Sequence, residues 1–167
     1  MGQIDQAVAV RDGEELDASA VDRFMKQAVA NLQGEPVIRQ YPGGASNLTY
    51  QVDYDSHSFV LRRPPSGKIA RSAHDMLREA RVMAALRPVY GYVPEIVATC
   101  DDHSVLGCDF YVMQRLEEMI LRQDFPADLA LSAEDVRTLC TNVIDKLVEL
   151  HKVKDRKSTR LNSSHRR

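Results

Sequence analysis

Residues 48–63, LTYQVDYDSHSFVLRR, decide the fold of this chain. Leu48, Tyr50, Val52 and Tyr54 alternate with polar neighbours, the period of an antiparallel strand with one buried face. Tyr54-Asp55-Ser56-His57 supplies a short turn without glycine, and Phe59–Arg63 returns as a second strand. Pro64-Pro65-Ser66-Gly67 then stops that strand. Working outward, Val37–Tyr41 reads as a strand before the hairpin. Val93–Thr99 and Phe110–Leu116 read as two strands after it, joined by the turn-rich Asp101–Gly107. Strands joined through tight turns favour an antiparallel sheet, so the class is α+β.

Three helices complete the order. The segment Asp17–Asn31 carries Val21, Phe24, Met25, Ala28 and Val29 at helical spacing, with Ser19 and Asp22 as a start signal and Gly34 and Pro36 as a stop. A second helix is expected over Ser72–Leu86, its stripe formed by Ala73, Met76, Leu77, Ala80, Met83 and Ala84, before Pro88 breaks it. A third opens at Ser132, where Ser-x-x-Asp makes a capping box, with Val136, Leu139, Cys140, Val143, Leu147 and Leu150 as its stripe.

The 167 residues are 44% hydrophobic and 28% charged, the balance of a globular protein. No apolar run is long enough for a bilayer and the N-terminus lacks a signal-peptide pattern, so a soluble, cytoplasmic protein without a membrane partner is expected. Net charge is −2, but residues 154–167 hold six Lys or Arg and one acid, leaving the body at −7. An acidic body argues against a nucleic-acid partner. Cys100, His103 and Cys108 have metal-ligand spacing, yet a structural zinc needs a fourth ligand, so they read as thiols on neighbouring strands of a hairpin.

Three groups of residues point to chemistry. Gly43, Gly44, Ala45, Ser46, Asn47 and Thr49 lie between two strands, where small residues let backbone N–H groups close on phosphate oxygens and the polar side chains add donors. Val60 and Arg62 share one face of the third strand, an apolar residue beside a cation, suited to roofing a base and holding its phosphates. Glu79 falls on the apolar stripe of the second helix, so its carboxylate needs a partner, and Arg62 is the natural one. Each has a plainer explanation: an ordinary glycine turn, an edge-strand charge, or a side chain snorkelling beside Arg78 or Arg81.

Taken together, QYPGGASNLTY, FVLRRPPSG, AHDMLREARVMAAL, CDDHSVLGCDFYVMQRLE and LVELHKV, in that order over roughly residues 15 to 153, resemble the aminoglycoside-phosphotransferase-like family. Within it, they are most similar to the branch found with acyl-CoA dehydrogenases. The resemblance implies a protein-kinase-like N-terminal lobe of about five antiparallel strands with packing helices. It divides the chain into an extension (1–16), a nucleotide-binding lobe (17–117) and a post-hinge segment with the first helix of a second lobe (118–153).

By that resemblance Gly43 to Asn47 cover the phosphates, Arg62 takes the place of the usual strand lysine, Glu79 is its helix partner, and the backbone at Gln114 and Leu116 faces adenine. ATP is the implied cofactor, with Mg2+ expected only in an intact protein. The H-G-D-x-x-x-x-N run that activates the acceptor in such enzymes is absent from these residues, and His151 is expected to pack within its helix. The chain therefore reads as a phosphotransferase for a small hydroxylated acceptor, of hydroxyacyl-CoA type by the branch resemblance, inactive as it stands. The alternative is a non-catalytic nucleotide-binding or docking module. Residues 154–167, which include DRKSTRLNSSH, resemble translated adapter sequence and are expected to be a non-native basic tail. The last helix is expected to leave apolar surface bare and to promote self-association.

Overall fold

In the computed structural model, residues 6–42, 46–65, 75–118, 125 and 129–153 are described. The hairpin forms with β2 (Leu48–Asp53) and β3 (Ser58–Arg63) paired antiparallel from Leu48 opposite Arg63 to Asp53 opposite Ser58. The Tyr54 amide donates to the His57 carbonyl at 2.7 Å to close the turn. β1 (Val37–Gln40) joins the outer side of β2, while β5 (Phe110–Gln114) and β4 (Ile96–Cys100) continue from β3. The sheet order is β1-β2-β3-β5-β4, every neighbour antiparallel.

Strand alternation sorts the side chains into two faces. One carries Leu48, Tyr50, Val52, Phe59, Leu61, Phe110 and Val112 and forms the main core with Val21 and Met25 of α1 (Ala18–Ala28). Phe24 of α1 meets the Phe110 ring edge-on at 4.9 Å. The other face receives α2 (Met76–Leu86), where Met76 and Ala80 pack on Tyr111 beside Met83, Ile96 and Met113. Segregated faces are what let α2 deliver a polar side chain to the sheet without disturbing the main core.

Boundaries differ from expectation for local reasons. Asp17, rather than Ser19, caps α1, its carboxylate accepting from the Ser19 and Ala20 amides. The helix ends at Ala28, ahead of Gly34, and the chain reverses through Asn31 (φ 59°) and Gly34 (φ 87°). The α2 start is capped by Asp75, and the expected residues Ser72 to His74 lie outside the described residues. The turn-rich link holds a short helix, α3 (His103–Leu106), capped by Asp102 and closed by Gly107 in the left-handed region. Cys100 is buried at the end of β4 and Cys108 half-buried ahead of β5, while His103 pairs with Asp109 at 2.8 Å. Among the described residues no group of three metal-ligating side chains converges.

The extension before α1 is tied to the sheet edge. Val8 and Gln40 exchange backbone hydrogen bonds of 2.8 and 2.9 Å. The buried Gln40 side chain accepts from the Arg11 amide and donates to Glu14, and the Tyr50 hydroxyl donates to the Glu14 carbonyl. Covering the outer edge of β1 in this way removes a template for intermolecular pairing.

The last helix, α4 (Ala133–Lys152), begins at the expected capping box of Ser132 and Asp135. Its carbonyl at Lys146 accepts from the Tyr90 hydroxyl, and the Lys146 ammonium stands 4.8 Å from the Tyr92 ring centre. Val143, Ile144, Leu147 and Val148 are 42% to 59% exposed. His151 is exposed rather than packed, because it falls outside the side of the helix that Leu150 and Val153 turn inward. No described helix is long and apolar enough to cross a membrane. The tail 154–167 lies outside the described residues.

Candidate nucleotide site

Arg62 and Glu79 meet. β3 carries Arg62 on the face opposite the main core, directly across from Thr49 on β2 and Tyr111 on β5. α2 packs on that face and brings Glu79 to it, with Arg62 Nε 3.5 Å from Glu79 Oε2. The side chains are 36% and 38% exposed, so the pair sits at the rim of the packed surface rather than inside it. Arg78 and Arg81, the alternative partners, are exposed, and Arg81 instead donates to the Leu77 carbonyl.

Two further side chains fix the carboxylate. Tyr111 donates its hydroxyl to Glu79 Oε2 at 3.1 Å, and Asn47 Nδ2 donates to Glu79 Oε1 at 3.2 Å. Burial pushes the Tyr111 phenol well up from its ordinary range; the Arg62 charge opposes this and the Glu79 charge adds to it. The phenol thus stays protonated as a donor. Arg62 Nε, by contrast, is buried with no hydrogen-bond partner, since 3.5 Å to Glu79 is an ion-pair distance but a poor hydrogen bond. A pocket of about 400 Å³ opens beside the pair, lined by Arg62, Asp75, Arg78, Glu79, Val82, Met83 and Tyr111.

The other expected residues divide. Gly43, Gly44 and Ala45 lie outside the described residues. Ser46 is exposed, and Asn47, expected to add a phosphate donor, is buried with its side chain on Glu79. Thr49 and Val60 share the face with Arg62, and Val60 lies opposite Met113. Gln114 and Leu116 are at the far end of β5, where the Gln114 amide donates to the Glu95 carbonyl at 2.8 Å and Leu116 is 41% exposed.

Four residues of the face escaped the sequence reading. Tyr111 carries a strand-period signal, since it alternates with the core residues Phe110 and Val112. Tyr41 donates its hydroxyl to Gln51 Oε1 at 3.0 Å. Gln51 donates onward to Asp53, whose carboxylate pairs with Arg39 at 2.9 Å. Arg115, just beyond β5, pairs with Glu117 at 2.9 Å, and its guanidinium pKa is raised first by the Tyr41 hydroxyl beside it, then, against the cost of burial, by Glu117.

A twisted five-stranded antiparallel sheet, with a helix presenting a carboxylate to a strand cation, defines the N-terminal lobe of a kinase-like phosphotransferase. The profile of the APH family, "Phosphotransferase enzyme family", matches residues 37–167, and the chain belongs to that family. Acyl-CoA dehydrogenase family member 11 of Gallus gallus is 32% identical over 146 residues, covering 85% of this chain and 18% of the relative. Acyl-CoA dehydrogenase family member 10 of Mus musculus is 30% identical over 155 residues, covering 92% of this chain and 14% of the relative. The crystal structure of a "putative aminoglycoside phosphotransferase" from Ralstonia eutropha JMP134 superposes with a TM-score of 0.55 at 30% identity, over 65% of this chain and 30% of that one. The chain therefore spans under a fifth of the length of these two curated relatives.

Proposed function

We propose that this chain is the nucleotide-binding portion of an ATP-dependent phosphotransferase whose acceptor is a small hydroxylated molecule. The observation that carries the proposal is the Arg62–Glu79 pair, with Glu79 held by Tyr111 and Asn47. A carboxylate clamped by fixed donors orients the guanidinium, and the guanidinium keeps a buried Nε–H with no acceptor. The part of the Arg62 side chain that lines the neighbouring pocket suits the oxygens of a polyphosphate, which a guanidinium engages as a fork. The small-residue stretch 43–47 stands next to it in sequence, with Asn47 tying its end to Glu79.

Among the described residues no three carboxylates, imidazoles or thiols converge. We assign no Mg2+ ligand to this chain. The 167 residues contain no His-Gly-Asp run, the source of the acceptor-activating carboxylate in kinase-like enzymes. We accordingly propose that this chain binds nucleotide without turning it over. The same absence favours a second reading, a module that binds nucleotide and never transfers its phosphate.

Calorimetric titration of the full chain with ATP tests the shared premise. Binding is expected, weakened at least tenfold by Arg62→Met, the loss of one charge-assisted contact. No heat of binding and no thermal protection by ATP would refute it. ATP turnover in a protein extended by its downstream coding sequence separates the two readings: phosphoryl transfer supports the enzyme, and tight binding without transfer supports the module.

A further inference from the structure

The β1–β2 ladder ends, on the side of residues 41–47, at one pair: Gln40 opposite Tyr50. Both side chains belong to the main-core face and are 1% and 0% exposed. A glutamine buried there is costly unless both ends of its amide are satisfied. One short segment of the extension satisfies both. The Arg11 amide donates to Gln40 Oε1 at 3.0 Å, and Gln40 Nε2 donates to the Glu14 carboxylate.

Arg11 and Glu14 reach the same amide because the chain between them is a tight turn. The Glu14 amide donates to the Arg11 carbonyl at 3.0 Å, and Gly13 takes the left-handed φ of 81°. The Arg11 guanidinium holds the Glu14 carboxylate at 2.8 Å. From the second strand, the Tyr50 hydroxyl donates to the Glu14 carbonyl at 2.7 Å. The turn thus grips both strands of the hairpin at a single rung. Edge protection does not require this. An edge cover runs along its strand, whereas among the described residues Val8 bridges β1 at Gln40 alone and Val37 is 56% exposed.

Strand alternation carries the grip to the opposite face. Tyr41 and Thr49, the neighbours of Gln40 and Tyr50, turn to the face of Arg62, and the Tyr41 amide donates to the Thr49 carbonyl at 2.9 Å. Thr49 stands across from Arg62, and Asn47 donates to Glu79. With the rung free to twist, Thr49 and Asn47 would have to be ordered each time a ligand bound, at a cost in affinity. We infer that the turn at residues 11–14 is a clamp that holds the Arg62–Glu79 end of the face in its binding arrangement, acting through Gln40 and Tyr50. These two are positioning residues, since their side chains lie on the far side of the sheet. The inference rests on the nucleotide-binding function proposed above and adds a control of that site's affinity by the N-terminal extension.

The test titrates ATP and inorganic tripolyphosphate into the full chain and its Gln40→Met, Glu14→Ala and Tyr54→Phe variants. Gln40→Met nearly keeps the side-chain volume and removes both amide hydrogen bonds. Glu14→Ala removes one acceptor from a partly exposed position, and so serves if the methionine variant folds poorly. Each is expected to weaken both ligands about fivefold, the scale of one lost hydrogen bond. Tyr54→Phe breaks a comparable bond, to Asp22 at 3.2 Å, just past the opposite end of β2. It should lower the thermal midpoint yet leave both ligands within about twofold. Linkage is reciprocal, so saturating ATP should slow hydrogen exchange of the Arg11 amide by about the same fivefold. The inference falls, with the nucleotide site still standing on Arg62, if Gln40→Met or Glu14→Ala leaves either ligand within about twofold. It falls equally if Tyr54→Phe weakens binding as much, or if ATP leaves Arg11 exchange unchanged. Absence of ATP binding by the unaltered chain removes the proposed function itself.

Discussion

Tyr111→Phe isolates the hydrogen bond that holds the site's carboxylate. The tyrosine is 1% exposed, and its hydroxyl donates to Glu79 Oε2 at 3.1 Å. A hydrogen bond to a charged group contributes about 1.5–3 kcal/mol when dry. Glu79 is 38% exposed and borders an open pocket, so water replaces part of the lost donor. The expected cost of Tyr111→Phe is therefore at the low end, about 1–1.5 kcal/mol. Glu79→Ala costs more, about 2 kcal/mol, because the Tyr111 and Asn47 donors both lose their acceptor. Once Glu79 is gone the tyrosine hydroxyl has nothing to hold, so the double variant should cost little more than Glu79→Ala alone. Urea unfolding followed by circular dichroism reads the four free energies, with a coupling of about 1 kcal/mol expected. Additivity within about 0.3 kcal/mol, or a Tyr111→Phe cost indistinguishable from zero, would refute the idea that Tyr111 fixes Glu79.

Three other expectations follow from the fold. Burial raises the phenols of Tyr50, Tyr54 and Tyr111. An acid whose folded pKa is raised binds its proton more tightly in the native state, so stability is intact below the unfolded value of about 10 and falls as pH climbs past it. Tyr54→Phe should flatten that alkaline fall in a melt series, and an unchanged slope would count against burial as its cause. Gly34 has φ 87°, and a Cβ there would sit 2.6 Å from the Asp55 carboxylate. Gly34→Ala should cost about 1–2 kcal/mol from the left-handed backbone, and an Asp55→Ala background should recover little of it because that side chain is exposed and can move. Finally, Val143 and Leu147, 59% and 46% exposed on α4, are expected to drive self-association. Sedimentation should find concentration-dependent oligomers that Val143→Lys with Leu147→Lys abolishes, and a monomeric unaltered chain throughout the series would contradict this.

The sheet was legible because its evidence is local. The alternation from Leu48 to Tyr54, the turn at Asp55 and the double proline at Pro64 place the hairpin within a residue of where it forms. Helix existence was equally plain, but the start of α1 was misplaced because Asp17 and Ser19 are both good caps. Only packing of Val21 and Met25 against the sheet selects the register that favours Asp17. The Arg62–Glu79 meeting was readable because a carboxylate on an apolar stripe demands a cation. Its depth was not: the stripe predicts burial, whereas the pair lies at the rim of α2. Asn47 and Tyr111 show what periodicity cannot reveal. Their partner lies 32 residues away in sequence, so those contacts exist only once the sheet order is set.

The two members of the central pair are unequally satisfied, and that inequality is what gives the face a direction. Glu79 receives two fixed hydrogen bonds besides the ion pair, one on each carboxylate oxygen. Arg62 has the reverse condition, a guanidinium oriented by an acid yet holding a buried Nε–H without an acceptor. A pair optimised for stability alone would close that gap, since moving Nε a few tenths of an ångström nearer to Glu79 turns contact into hydrogen bond. Leaving the cation's Nε–H without an acceptor costs stability, and such costs concentrate where a site serves a function. On the function proposed above, an incoming polyphosphate would meet a guanidinium already oriented through Glu79 by Tyr111 and Asn47.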